Sequence, residues 1–198
     1  MFDFILNFKE HRDKRIYSKS KIKDLDVEVS KEIKKIKEND ENDLLNIINK
    51  KEEKIIVYHT SLDKEEKFGL FLIKLKIINK KGIVLNRVRL SAIYKSEVDI
   101  ELCDIEVFGE NSGRGYGSIL LNSLIEFAKE NSIQKITGWI SYADSDHFDK
   151  LASFYKKHDF NVIWHDDINN SNKATDIYWD NSEHKGLCGE GKFPNQSN

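Results

Sequence analysis

Between a β-rich run ending at Val107 and an apolar helical stripe beginning at Leu120 lies Ser112-Gly113-Arg114-Gly115-Tyr116-Gly117. This turn limits what the chain can fold into more than any other segment. Glycine lets a backbone approach a ligand closely and adopt conformations closed to other residues. The first N–H groups of the helix that follows lack internal partners, and the helix dipole adds partial positive charge there. A strand, a Gly-rich turn and an amphipathic helix in succession therefore suit a pyrophosphate, with Arg114 as a side-chain partner. A Walker A loop would need Gly-Lys-Ser/Thr, and no such triplet follows. A dinucleotide fingerprint would need a third glycine where Ser118 or Leu120 stands, on a parallel sheet, and the preceding runs read as antiparallel.

The runs around the turn give the element order. Leu25, Val27 and Val29 alternate with charged residues, the pattern of a short half-exposed strand. Ile33 and Ile36, then Leu44, Leu45, Ile47 and Ile48, predict two short helices broken near Asn39-Asp40. Ile55 to Tyr58, Phe68 to Ile77, Ile83 to Ile93 and Val98 to Val107 read as strands, with Asn79-Lys80-Lys81-Gly82 as a turn. Leu120, Leu121, Leu124, Ile125 and Ala128 form one helical stripe, and Phe148, Leu151, Ala152 and Tyr155 form a second. Lys135 to Ser141, Phe160 to Trp164 and Thr175 to Trp179 complete the set as strands. From Phe68 the order is β-β-β-α-β-α-β-β, a mixed α/β domain with a mostly antiparallel central sheet flanked by helices.

With 198 residues, a single domain over 1–180 is expected. It comprises a charged, helical N-terminal region (1–50) and a motif core (68–180), followed by a flexible polar tail (181–198). Met1 to Phe8 reads as a short packing helix, not a secretory signal. Hydrophobic residues make up 39% and charged residues 33%, so the surface is densely charged. The net charge of -2 argues against stable nucleic-acid binding. No apolar run is long enough to span a membrane. Two cysteines, Cys103 and Cys188, make no metal-ligand spacing and no disulfide framework, so a reducing cytoplasm is the expected setting. His147, His158 and His165 likewise form no metal spacing, and no metal is expected.

The turn resembles the GNAT superfamily of N-acetyltransferases, whose pattern after a β-strand is Gln/Arg-x-x-Gly-x-Gly/Ala. Ser112 stands in the first position here. Downstream, Tyr155-Lys156-Lys157-His158-Asp159-Phe160 is similar to the family's Tyr-x-x-x-Gly-Phe, with Asp159 in place of Gly. Phe148 stands near the place of an Asn common in the family. The resemblance runs from Phe68 to Trp179 and implies the GNAT acyl-CoA N-acyltransferase fold.

It also implies a chemistry, in which an amine attacks the thioester of acetyl-CoA, bound as co-substrate, directly. Ile105, Val107, Ser112, Gly113, Arg114, Gly115, Tyr116, Gly117 and Ser118 would hold the co-substrate. Tyr155 would stand near the sulfur and assist the leaving thiolate. Glu101 matches a Glu of the histone-acetylating branch and is the expected base. Strand alternation would place Glu101, Cys103, Ile105 and Val107 on one face, among the apolar neighbours that poise a base. Cys103 itself reads as inert packing. The acidic strand from Asp99 to Glu106 favours a cationic acceptor, a small-molecule or protein amine. The interleaved charges of the N-terminal third read as a solvated face, with substrate-side helices or a homodimer interface as the alternatives. The alternative is a non-catalytic module of the same fold that binds CoA or a protein.

Overall fold

The computed structural model describes residues 15–18, 21–62, 69–165 and 173–181. The expected N-terminal helix at Met1 to Phe8 and the tail beyond Asn181 lie outside the described residues, as do Phe68 and Cys188. Helix α1 (Leu25–Lys37) leads into strands β1 (Asn42–Lys50), β2 (Glu53–Ser61) and β3 (Leu70–Asn79). Then come β4 (Gly82–Ile83), β5 (Val88–Tyr94) and β6 (Asp99–Val107). Helix α2 (Tyr116–Glu130), β7 (Lys135–Ser141), α3 (Phe148–Lys156), β8 (Asn161–Trp164) and β9 (Lys173–Asp180) complete the order.

Eight of these strands lie side by side as β1-β2-β3-β5-β6-β7-β9-β8, with β4 paired to β3. Every pair is antiparallel except β6 with β7. A parallel pair needs a long crossover, and α2 supplies it. The expected mixed α/β class with a mostly antiparallel sheet and flanking helices is the observed one.

The N-terminal third departs from expectation in two places, each for a readable reason. Leu25, Val27 and Val29 open α1 and are not a strand. Asp24 caps the helix by accepting hydrogen bonds from the Asp26 and Val27 N–H groups, at 2.9 and 3.1 Å. Leu25, Val29, Ile33 and Ile36 are the true stripe, spaced by three and four residues, and Val27 is exposed. The second predicted helix is β1. Its register slips between Leu44 and Asn46, so Leu45 is the extra residue of a bulge. The bulge breaks alternation and gives Leu44, Leu45, Ile47 and Ile48 a helix-like spacing. Leu44 packs toward α1 and Leu45 and Ile48 toward the main core, on opposite sides of the sheet. The single strand expected from Ile83 to Ile93 is also divided, into β4 and β5.

Helices α2 and α3 cover one face of the sheet and α1 the other. Leu120, Leu121, Leu124 and Ala128 of α2 and Leu151 and Tyr155 of α3 pack on Phe71, Ile73, Leu90, Ala92, Ile100 and Leu102. On the far side, Val29 and Ile36 of α1 pack on Ile56, Ile78 and Ile83.

Candidate active site

Strand β6 carries the site, and a single extra residue sets its geometry. Ala92 of β5 stands opposite Leu102, and the next residue back, Ser91, stands opposite Asp104. Cys103 therefore has no partner and forms a bulge. Faces are inherited from the partners across the ladder. Leu102, Ile105 and Val107, opposite Ala92, Leu90 and Val88, look toward α2. Glu101, Asp104 and Glu106, opposite Ile93, Ser91 and Arg89, look toward the α1 side. The shared face expected for Glu101, Ile105 and Val107 is thus not formed, because the bulge inverts the alternation between them.

The second determinant is a gap. Strands β6 and β7 pair only from Asp99–Lys135 to Glu101–Thr137 and then separate. Beyond Glu101, β6 has no strand neighbour on that side. Gly138 marks the parting. A Cβ there would stand 3.1 Å from the Leu102 carbonyl oxygen and 3.2 Å from the Ile177 side chain.

On the α2 side, a cavity of about 270 Å³ opens at the end of this gap. It is lined by Ile105, Val107, Ser112, Gly113, Gly115, Tyr116, Gly117 and Ser118, together with Lys150, Leu151 and Phe154 of α3. Of the residues expected to hold a co-substrate, only Arg114 is not in the lining. It is exposed, and its Nε donates to the Glu110 carbonyl at 2.6 Å. Gly113 and Gly115 have φ of 71° and 78°, the left-handed conformation open to glycine. Gly115 is also the residue just before α2. The start of α2, from Gly115 to Ser118, thus lines the cavity, the place where a helix N-terminus can meet an anion. Ser112 donates its hydroxyl to the Val107 carbonyl at 2.9 Å and so ties the turn to the strand.

Neighbouring elements brace the turn in ways the sequence does not signal. Lys50, at the β1–β2 hairpin, donates its ammonium group to the Arg114 carbonyl and lies over the Tyr116 ring, 5.0 Å from its centroid. Its Nζ is 3.0 Å from where a Gly115 Cβ would sit. Arg15 donates to the Tyr116 hydroxyl, and that hydroxyl donates to Glu53. Arg15 also pairs with Glu53 directly and donates to Asn111 Oδ1 at 2.9 Å. Burial alone would raise the Glu53 carboxyl, but the hydrogen bonds from Tyr116 and Arg15 outweigh it and hold it below its usual range. Burial and the Glu53 hydrogen bond push the Tyr116 phenol up to about 12. Just past α3, the His158 ring bridges Asn122 Oδ1 at 2.7 Å and Ser118 Oγ at 3.0 Å, fixing the end of α3 against the first turns of α2. Asp159, at the family's Gly position, has a φ of 62°. Asp is among the few residues that accept this conformation.

The polar groups at the gap are unusual. Tyr155 is fully buried, and its hydroxyl has no hydrogen-bond partner. Asp104 Oδ1 and Asp144 Oδ2 are also buried and unpartnered. Such groups are rare in folded proteins, and each calls for an explanation. Burial, then the Asp104 and Asp144 carboxylates, raises the Tyr155 phenol well above its ordinary value. Burial, then the neighbouring Glu106 charge, pushes Asp104 up to about 6, and a hydrogen bond from the Ile105 N–H only partly offsets this. Burial raises Asp144 as well.

Glu101, the carboxylate singled out in the sequence, is part-exposed and pairs with Lys95 at 2.9 Å. Burial, then Glu101, pushes the Cys103 thiol up to about 11, so it is a poor nucleophile. Among the described residues, no three His, Cys, Asp or Glu side chains stand together as metal ligands, and no helix is long and apolar enough to cross a membrane.

Residues 35–160 match the profile of the acetyltransferase (GNAT) family, and this stretch holds the turn, the gap, α2 and α3. The chain belongs to the GNAT acetyltransferase family. Comparison with curated proteins gives 42% identity over 64 residues to the uncharacterized protein YocC of Bacillus subtilis, 32% of this chain and 39% of that one. The chain thus spans about two fifths of that relative's length. Among solved structures it is similar to a GNAT-family acetyltransferase of Staphylococcus aureus Mu50, with a TM-score of 0.41, 21% identity, and 55% of this chain and 68% of that chain covered. Ard1 of Thermoplasma volcanium gives 0.40 and 14%, with 54% and 69% covered. The IAA acetyltransferase of Bacillus cereus gives 0.40 and 14%, with 55% and 77% covered.

Proposed function

We propose that this GNAT-family protein transfers an acetyl group from acetyl-CoA directly to a primary amine. The observation that carries the reading is the cavity lined by the glycine turn, by β6 where it has left β7, and by α3. The same strand and helix carry Asp104 and Tyr155, whose buried polar atoms are unpartnered. The turn between Ser112 and Ser118 would hold the pyrophosphate, with Lys50 and Lys150 as nearby cations. Ile105, Val107, Leu151 and Phe154 give the apolar walls for the pantetheine arm.

Acetyl-CoA supplies the activated thioester. The residues of the chain have two tasks. An amine must shed a proton as it forms its bond to carbon, and a carboxylate with a pKa near 6 is matched to take one at neutral pH. Asp104 fills this role in our reading, and it faces the side opposite the cavity, so that amine and thioester meet through the gap. Glu101 and Glu106, on the same face, make that side attractive to a cationic amine. As the carbon–sulfur bond breaks, the departing sulfur needs a hydrogen-bond donor. Tyr155, kept as a phenol by its surroundings, provides one and relays the proton.

Calorimetric titration with acetyl-CoA, with NADH and ATP as controls, tests the cradle. Release of free thiol in the presence of amines tests the reaction. Micromolar binding of acetyl-CoA with amine-dependent thiol release is expected. Binding of acetyl-CoA without thiol release from any amine would leave a binding module in place of an enzyme, and absence of binding would remove the reading altogether.

A further inference from the structure

On the α1 side of the sheet lies a second, larger cavity of about 700 Å³, which shares no lining residue with the first. Its lining includes Lys35, Lys74, Lys76, Arg87 and Arg89 against the two acids Glu28 and Glu32. These charges are not evenly matched. Glu32 accepts from Lys35 at 2.6 Å and from Lys76 at 2.7 Å, so one carboxylate serves two ammonium groups. Arg89 is paired with Glu106. Lys74 stands directly across the ladder from Arg89, one cation beside another. Burial, then Arg89, lowers the Lys74 ammonium; Glu41 offsets this in part, and Arg87 adds to it. Lys74 also lies over the Tyr58 ring, 5.9 Å from its centroid. Like charges gathered in a cavity of ligand size describe a place prepared for a negative group.

The position of this cavity relates it to the reaction. Its lining ends on β5 at Arg89. The next residue on the same face is Ser91, which stands across from Asp104. Two residues of strand amount to roughly 7 Å, and the distance from Arg87 to Ser91 is roughly twice that. A molecule lying along this face would meet Lys74 and Arg87 at one end and Asp104 and Glu101 at the other, with the Arg89–Glu106 pair between them.

Resting on the acetyltransferase reading above, we infer that the acceptor is a dipolar small molecule: a primary amine carrying a carboxylate or phosphate several bonds away. The oxyanion lies in the Lys74–Arg87–Arg89 cavity and the amine beside Asp104.

Calorimetry on the full chain without acetyl-CoA reads this directly. The probes are ε-aminocaproate and glycine for carboxylates of two lengths, O-phosphoethanolamine for phosphate, and pentylamine as the amine without an anion. We expect ε-aminocaproate or O-phosphoethanolamine to bind at least ~10-fold tighter than pentylamine, and whichever binds tighter identifies the oxyanion. Glycine, too short to reach both ends, binds no better than pentylamine. Lys74→Gln and Arg87→Gln abolish the preference and keep the wild-type Kd for acetyl-CoA, which shows that they fold. Equal binding of pentylamine, tight binding of glycine, or no binding of either spaced probe at millimolar concentration overturns the inference. Thiol release with the bound probe then separates the two proposals. Binding of the probe without turnover spares the cavity and removes the enzyme, whereas turnover of pentylamine alone does the reverse.

Discussion

Asp104 and Tyr155 sit on opposite sides of the sheet, yet the Asp104 carboxylate raises the Tyr155 phenol, and neither Asp104 Oδ1 nor the Tyr155 hydroxyl has a hydrogen-bond partner. Left unpaired, these atoms cost stability, of the order of ~1–3 kcal/mol for each buried group. A substrate that supplies the missing partners recovers that cost on binding. The two residues therefore give opposite responses in stability and in activity.

Tyr155→Phe removes the unpaired hydroxyl and keeps the ring packed on Phe154 and Phe160. The Tm is expected to hold or rise, while turnover falls roughly a hundred- to ten-thousandfold, the range of positioned proton donors. Thermal melts and thiol-release assays on the same preparation check both. An equal loss in stability and rate would assign Tyr155 to packing alone.

Asp104→Asn separates in pH. Its folded pKa, about 6, lies above the ordinary 3.8. Between these values the folded state binds the proton more tightly than the unfolded state does, so stability falls as pH rises through this window and is flat beyond it. The amide variant escapes the loss, and its gain in Tm over wild type is larger at pH 7 than at pH 4. As a base, the carboxylate must be ionised. Wild-type kcat/KM is therefore expected to rise through pH 6, and the variant to lose that limb together with most of its rate. Glu101→Gln, measured in parallel, is expected to shift the KM for the amine more than kcat.

Glu53→Gln tests the brace beneath the turn. The Glu53 carboxyl is held low, so its contribution is complete above the unfolded value of 4.5 and is lost as pH falls through the folded one. The variant leaves a largely buried Arg15 without its ion pair and is expected to cost about 3 kcal/mol at neutral pH, less at acidic pH. Denaturant unfolding at pH 7 and pH 3 reads the difference. A cost independent of pH would point to lost packing instead.

Gly115→Ala places a side chain at φ 78° and 3.0 Å from Lys50 Nζ. The lysine can withdraw, but the backbone strain of roughly 1–2 kcal/mol cannot be relieved so easily. Affinity for acetyl-CoA is expected to fall at least ~10-fold with the far-side cavity untouched, read by titrations of acetyl-CoA and ε-aminocaproate.

How far the sequence discloses this arrangement depends on whether the information is local. The turn, α2, α3 and the strands of the second half follow from glycine spacing and regular apolar periods, and Tyr155 stands where its motif puts it. Periodicity misleads at the bulges. Leu45 makes β1 look helical, and Cys103 places Glu101 on the face opposite Ile105. Leu25 to Val29 alternates by composition, while the cap at Asp24 and the stripe to Ile36 govern. Lys50, Arg15 and Glu53 were not legible at all. They reach Tyr116 across 66, 101 and 63 residues of chain, and no local pattern encodes such a contact. Asp104 was visible only as one acid among several, since its burial depends on the sheet around it.

The extra residue at Cys103 shows that length can matter as much as identity in a strand. With one residue fewer there, every side chain from Asp104 to Val107 would exchange sides: the carboxylates would crowd the apolar wall beneath α2, and Ile105 and Val107 would turn toward α1. The thiol at that position is held protonated by its burial. It acts as a spacer that puts the count out by one, so that the carboxylates of a single strand all face the α1 side and its aliphatic side chains face α2.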